Sequence, residues 1–176
     1  MKKELFNLLE KNITKVNENG MEKISYDFGD AECALIDYDK QVDTYLHTHD
    51  FDELVFVFSG TALHIADDEK YPLIRGDVFV VRGNHKHNFL NTHNFHVTNL
   101  FYKKGFFEKM KDDFFDLPGF QALFINEPRY RKNHKFKSKL HLNSHQLNEI
   151  TKFIHAFEKE SEDRRVGYTK VQKRIF

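Results

Sequence analysis

Between Met21 and Tyr102 the sequence breaks into short runs of alternating apolar and polar residues, each closed by a turn signal. No other feature constrains the fold as much. Alternation at a period of two buries one side of a strand and turns the other toward a second layer or solvent. Strands are predicted over residues 24–28, 33–38, 45–49, 54–58, 62–65, 71–74, 78–81 and 96–102. Asn19-Gly20, Asp67-Asp68-Glu69 and Arg75-Gly76-Asp77 read as turns, with Gly76 present for its backbone freedom rather than as part of an adhesion tripeptide. Many short strands separated by such turns predict a mainly β chain, an antiparallel sandwich or barrel.

Within that run, residues 47–60 read HTHDFDELVFVFSG. On a strand, His47 and His49 share a face, and a turn through residues 50–52 returns Glu53 to the same interior. His87, in GDVFVVRGNHKHNFLN, is a candidate fourth group. Imidazoles with one carboxylate suit a divalent ion, and the donor set does not choose between zinc, nickel, iron(II) and manganese. The alternative is a metal-free cluster whose members hydrogen-bond one another and line a polar pocket. His64 and Asn99 are candidate ligand-binding residues, because a few polar groups in an apolar pocket orient a ligand. Asp50 and Asp52 are expected to be turn and surface charges, and His85, His93 and His96 to belong to a polar loop.

The flanking segments read as helical. Residues 2–14 place Leu5, Leu8, Leu9 and Ile13 at helical spacing. After Lys104 the texture changes, with Phe106, Phe107, Met110 and Phe114 recurring up to the break at Leu117-Pro118-Gly119. The basic run over 129–139 is expected to be a solvated loop. From Ser144 a clearer helix follows, with Asn143 or Ser144 as N-cap and a stripe of Leu147, Ile150, Ile154 and Phe157. A last stripe, Tyr168, Val171, Ile175 and Phe176, has no cap or breaker and suggests a piece of a longer chain. The expected division is a barrel with an N-terminal helix over 1–104 and a helical segment over 105–176.

Charge is balanced, with 27 basic and 27 acidic residues, so no net field favours nucleic acid or membrane. The one cysteine, Cys33, excludes an intrachain disulfide and suits a reducing compartment. With no signal peptide and no membrane-spanning run, a cytoplasmic location is expected.

The spacing of His47, His49, Glu53 and Gly60 resembles the first motif of the cupin superfamily, and Gly76, His87 and Asn91 fall in register with the second. Arg82 and Asn84 stand where that second motif has Pro and Gly, and Gln41 where the family has a glycine before the first histidine. The resemblance implies a cupin jelly-roll barrel with ligand positions at His47, His49, Glu53 and His87. The longer text HTHDFDELVFVFSGTALH, GDVFVVRGNHKHNF and HVTNLFY is similar to the N-terminal effector-binding and dimerisation domain of AraC-type transcription regulators of the rhamnose-responsive kind.

That likeness implies a non-enzymatic domain that senses a small sugar-like effector. It also implies a homodimer held through Leu147, Ile150, Ile154 and Phe157, with DNA read by a separate C-terminal domain not in this chain. The alternative is a free-standing metal-dependent cupin enzyme, such as a dioxygenase or a sugar isomerase or epimerase, working through the same four residues.

Overall fold

A computed structural model describes residues 11–18, 20–67, 69–126, 139–163 and 166–175. Its strands in chain order are β1 (Ile13–Glu18), β2 (Met21–Tyr26), β3 (Cys33–Tyr38), β4 (His47–His49), β5 (Asp52–Ala66), β6 (Glu69–Ile74), β7 (Asp77–Val81), β8 (His87–Tyr102) and β9 (Lys139–His141). Short 3-10, α and π turns occupy Glu108–Met110, Lys111–Phe114, Pro118–Phe120 and Gln121–Asn126; two longer helices follow, α1 (Ser144–Asp163) and α2 (Tyr168–Ile175). The strands are hydrogen-bonded in the order β1-β2-β4-β8-β5-β7-β9, with β3 also on β8 and β6 also on β5. The result is a mostly β, jelly-roll-like fold.

The long antiparallel pair β5 and β8 is the frame. It runs from Asp52↔Tyr102 to Ala66↔His87 and bends in the middle, where the register shifts between Val57 and Leu63. Gly60 makes the bend possible. Its φ is +73°, and a Cβ there would collide with the carbonyls of His93 and Asn94 on β8. Asn91 and Asn94 adopt left-handed conformations opposite it, at φ +53° and +46°.

Alternation along β5 and β8 sorts the apolar residues into two layers. Val55, Val57, Phe95 and Val97 join Ala62, Leu73, Phe79, Val81 and Phe89 inside the barrel. Leu54, Phe56, Leu100 and Tyr102 face the other way, onto Phe106, Phe107, Phe120, Leu123, Ile154 and Phe157. Each large apolar side chain so buried stabilises the fold by about 1.5–3 kcal/mol. The second layer therefore spans the expected boundary at residue 104, and β9 extends the sheet from the far side of it, pairing with β7.

Several expectations change at the edges. Residues 2–10 of the expected N-terminal helix lie outside the described residues, while Ile13 and Thr14 open β1, an edge strand that pairs antiparallel with β2. The basic run mostly lies outside the described residues, but its last member, Lys139, is in β9. Asp77 holds that strand: it is 1% exposed and accepts from Ile74 N–H, Lys139 Nζ and His141 Nδ1.

Helix α1 begins where the sequence indicated. The Asn143 side chain accepts from Gln146 N–H at 3.0 Å, and the Gln146 side chain accepts in return from Asn143 N–H at 2.9 Å. Its stripe was expected at a subunit interface. Instead Ile154 and Phe157, with Ile150 packed beside them, are buried in this chain's own outer layer, and Leu147 is buried as well. The physical reason is that the outer face of the sheet is itself apolar and lies in reach.

Candidate metal centre

Strand β4 has only three residues, yet it is pinned on both sides. It pairs in parallel with β2, through Glu22↔His47 and Ile24↔His49, and meets β8 at His47↔His87. The His49 N–H also donates to Gly83 O at 2.7 Å. The two-residue period then turns His47 and His49 inward together.

Each ring is oriented by a carbonyl close in sequence. His47 Nδ1–H donates to Tyr45 O at 2.8 Å, and His49 Nδ1–H donates to Phe51 O at 2.6 Å. Both therefore present an Nε2 lone pair to the interior, which is the role such outer hydrogen bonds play at metal sites. His49 Nε2 lies 3.0 Å from His87 Nε2, and the ligand atoms of His47, His49 and His87 all fall within 4.8 Å of one another. All three side chains are buried. Burial pushes His49 down to about 4 and moves His47 in the same direction. At neutral pH both are uncharged, the form that ligates.

Glu53 stands at the edge of this group, with Oε1 3.6 Å from His49 Nε2. Burial, and then the neighbouring charge of Asp52, raise its carboxyl to about 8. Near pH 7 the His49–Glu53 contact therefore joins two neutral groups and is not an ion pair. Glu53 Oε2 is buried with no hydrogen-bond partner among the described residues. Such an atom is costly unless an ion or a donor meets it. The donor set fits a divalent first-row ion: three converging imidazoles with one adjacent carboxyl group.

His64 and Asn99, the two expected ligand-binding residues, are both buried. His64 lies behind His87, with Nε2 3.4 Å from His87 Nδ1. Asn99 pairs with Val55 of β5, so it faces the interior one step along from Glu53, and its Oδ1 has no partner among the described residues. His85 and His96 are held elsewhere, by Asp67 and Asp37, and His93 is on β8. Asp50 is exposed as expected.

Asp52 is not a surface charge. It is 4% exposed; its Oδ2 accepts from Arg82 Nη1 at 2.8 Å and its Oδ1 from Gly83 N–H at 3.0 Å. Alternation turns Asp52 away from Glu53, but that side of the strand is roofed by the segment after residue 104. Arg82 also reaches Phe124 O at 3.4 Å. This pair was missed at the sequence level. Its signal was an arginine ending the apolar run VFVV where the resembling motif has proline. Gly83 takes the close approach, since a Cβ there would strike the carbonyls of Phe51 and His49.

Residues 34–101 match the cupin domain family. Over 57 residues the chain is 44% identical to the HTH-type transcriptional activator RhaR of Pectobacterium carotovorum subsp. carotovorum (strain PC1), a stretch that is 32% of this chain and 20% of that protein. Over 85 residues it is 34% identical to RhaR of Escherichia coli (strain K12), covering 48% of this chain and 30% of that one. The matches thus span less than a third of the length of these relatives.

Among solved structures, the nucleoside dehydratase Pac13 of Streptomyces is similar at 13% identity and a TM-score of 0.37, covering 52% of this chain and 77% of that one. A conserved Streptococcus pyogenes protein of unknown function is similar at 16% identity and a TM-score of 0.38, covering 52% and 93%. Likeness this low bears on neither topology nor chemistry.

Proposed function

We propose that this chain is the effector-sensing part of a transcription regulator, a non-enzymatic domain that takes a small polyhydroxylated molecule, a sugar, into the barrel interior. The observation that carries the reading is the 44% identity to an HTH-type activator. Two buried acceptors support the ligand class: Glu53 Oε2 and Asn99 Oδ1 lack partners among the described residues, and hydroxyl O–H groups are donors that satisfy such atoms. His47, His49 and His87, with Glu53 beside them, hold a divalent ion in this reading, zinc, nickel, iron(II) or manganese. When bound, the ion supplies a Lewis acid that polarises a ligand hydroxyl.

Sensing requires that the ligand bind one state of the domain better than another, and it shifts an attached DNA-binding part only by that difference. Homodimerisation and DNA reading by a separate domain belong to the same proposal, as does a cytoplasmic location. No helix of the described residues is long and apolar enough to cross a membrane.

Thermal melting against a panel of pentoses, hexoses and deoxyhexoses tests the proposal. A sugar at a hundredfold excess over its Kd stabilises by about 2.7 kcal/mol, which raises Tm by several degrees in a chain of this size. No shift with any member removes the sugar-sensing reading.

A metal-dependent enzyme remains the second reading, favoured by the convergence of three buried imidazoles. It is supported instead if the metal-loaded chain alters the composition of a sugar that stabilises it.

A further inference from the structure

Strands β1 and β2 carry two ion pairs, and the strand register puts them on opposite faces of the ribbon. Residues that oppose each other across a ladder share a face. Glu22 opposes His47 and Ile24 opposes His49, so Glu22 and Ile24 lie on the face that carries the two histidines. On β1, Ile13 opposes Tyr26, Lys15 opposes Ile24 and Asn17 opposes Glu22, which brings Lys15 onto that same inner face. The packing agrees: Ile13, Ile24 and Tyr26 belong to one apolar cluster with Phe51 and Phe101. Glu18 and Lys23 take the other face, with Thr48 of β4.

The inner row changes character along its length. Tyr26 is buried and Ile13 and Ile24 are half-buried, whereas the Lys15 and Glu22 side chains are 58% and 29% exposed. Lys15 Nζ stands 3.5 Å from Glu22 Oε2. Of the two histidines on β4, the one opposite Glu22 is nearer to solvent: His47 is 7% exposed and His49 2%. The histidine cluster thus comes closest to water on the side where this ion pair stands. The second pair, Glu18 with Lys23 at 3.6 Å, faces away from the cluster.

We propose that Lys15 and Glu22 are ligand-binding residues at the entrance to the barrel interior, where they hold a pair of adjacent hydroxyl groups. The inference rests on the effector-sensing reading and extends it from the buried acceptors to the rim. A hydroxyl both donates and accepts. One hydroxyl of the pair accepts from Lys15 Nζ, and its neighbour donates to a carboxylate oxygen of Glu22. Because each protein partner is charged, both bonds are stronger than bonds between neutral groups. The ion pair need not break for this: an ammonium has three donors and a carboxylate about four accepting positions.

The test titrates D-xylose, D-glucose and L-rhamnose calorimetrically into the wild type and four variants. Lys15→Met and Glu22→Leu remove the inner pair; Lys23→Met and Glu18→Leu remove the outer pair as matched controls. All four side chains reach solvent, and exposed ion pairs contribute little to stability, so the variants are expected to fold, with circular dichroism as the check. For the sugar that binds the wild type best, each inner variant is expected to weaken affinity about tenfold or more. The outer variants are expected to keep wild-type affinity. That contrast separates a contact with the ligand from a contribution to the β1–β2 ribbon, which both pairs share.

Wild-type affinity in either folded inner variant overturns this inference and leaves the effector-sensing reading standing. So does an equal loss in the inner and outer variants. A wild type that binds none of the three sugars overturns both.

Discussion

Glu53 and His49 oppose each other in the pH dependence of the metal-free protein. The folded-state value of Glu53 is raised from 4.5 to about 8. Between those values the folded protein holds a proton that the unfolded chain releases, so stability falls as pH rises through the window. For His49, lowered from 6.5 to about 4, the unfolded chain holds the extra proton between those values, and stability rises with pH there. His47 adds in the same direction below 6.5. Below 6.5 His47 and His49 therefore offset Glu53, and above 6.5 they no longer do. Urea midpoints in the presence of chelator are expected to be highest near pH 6.5 and to decline toward pH 8. Glu53→Gln, which cannot ionise, is expected to abolish the decline; a decline of the same size in the variant contradicts the assignment.

At the scale of elements, α1 shows why a helical stripe does not name its partner. Phe157 is 1% exposed on the chain's own outer layer, whereas Phe153 on the same helix is 49% exposed. Phe157→Ala is expected to cost about 3–5 kcal/mol. Phe153→Ala should stay within about 0.5 kcal/mol when measured at dilutions where the chain is monomeric. Equal costs in chemical denaturation would mean that the helix is seated differently.

The same limit governs what else could be read from the sequence. Strands 33–38 and 78–81 were legible because one face alternates or the whole run is apolar. β5 and β8 read as shorter pieces, because Gly60 and the left-handed Asn91 and Asn94 interrupt the pattern at the bend without ending the strands. β1 was not read as a strand, and its first two residues, Ile13 and Thr14, were assigned to the end of a helix, since exposed edge residues such as Thr14 and Val16 carry little two-fold signal. β9 was hidden at the end of a basic run, and only its tertiary partners, Asp77 and β7, make it a strand.

For the whole molecule, the inner and outer layers of one sheet divide the roles. The inner face carries the histidine cluster, Glu53 and Asn99, and the outer face carries the helices. Asp52, adjacent to Glu53 but facing outward, joins the two by holding Arg82 and Gly83. The candidate centre was legible because its spacing is local: two histidines on one strand and a carboxylate after one turn. The Asp52–Arg82 pair and the contact of His64 with His87 were not, because each depends on which strands the fold brings together.

The central claim is that a small hydroxylated ligand binds inside the barrel against the unpartnered acceptors. The most direct measurement is a calorimetric titration of the most stabilising sugar into the wild type and into Asn99→Leu. Leucine removes a buried carbonyl without a partner, so the free variant is expected to melt at or above the wild type. The account predicts one site per chain in the wild type and its loss, or weakening by about tenfold or more for a deleted hydrogen bond in a buried site, in the variant. Unchanged affinity in a folded Asn99→Leu would place the ligand elsewhere and contradict the account.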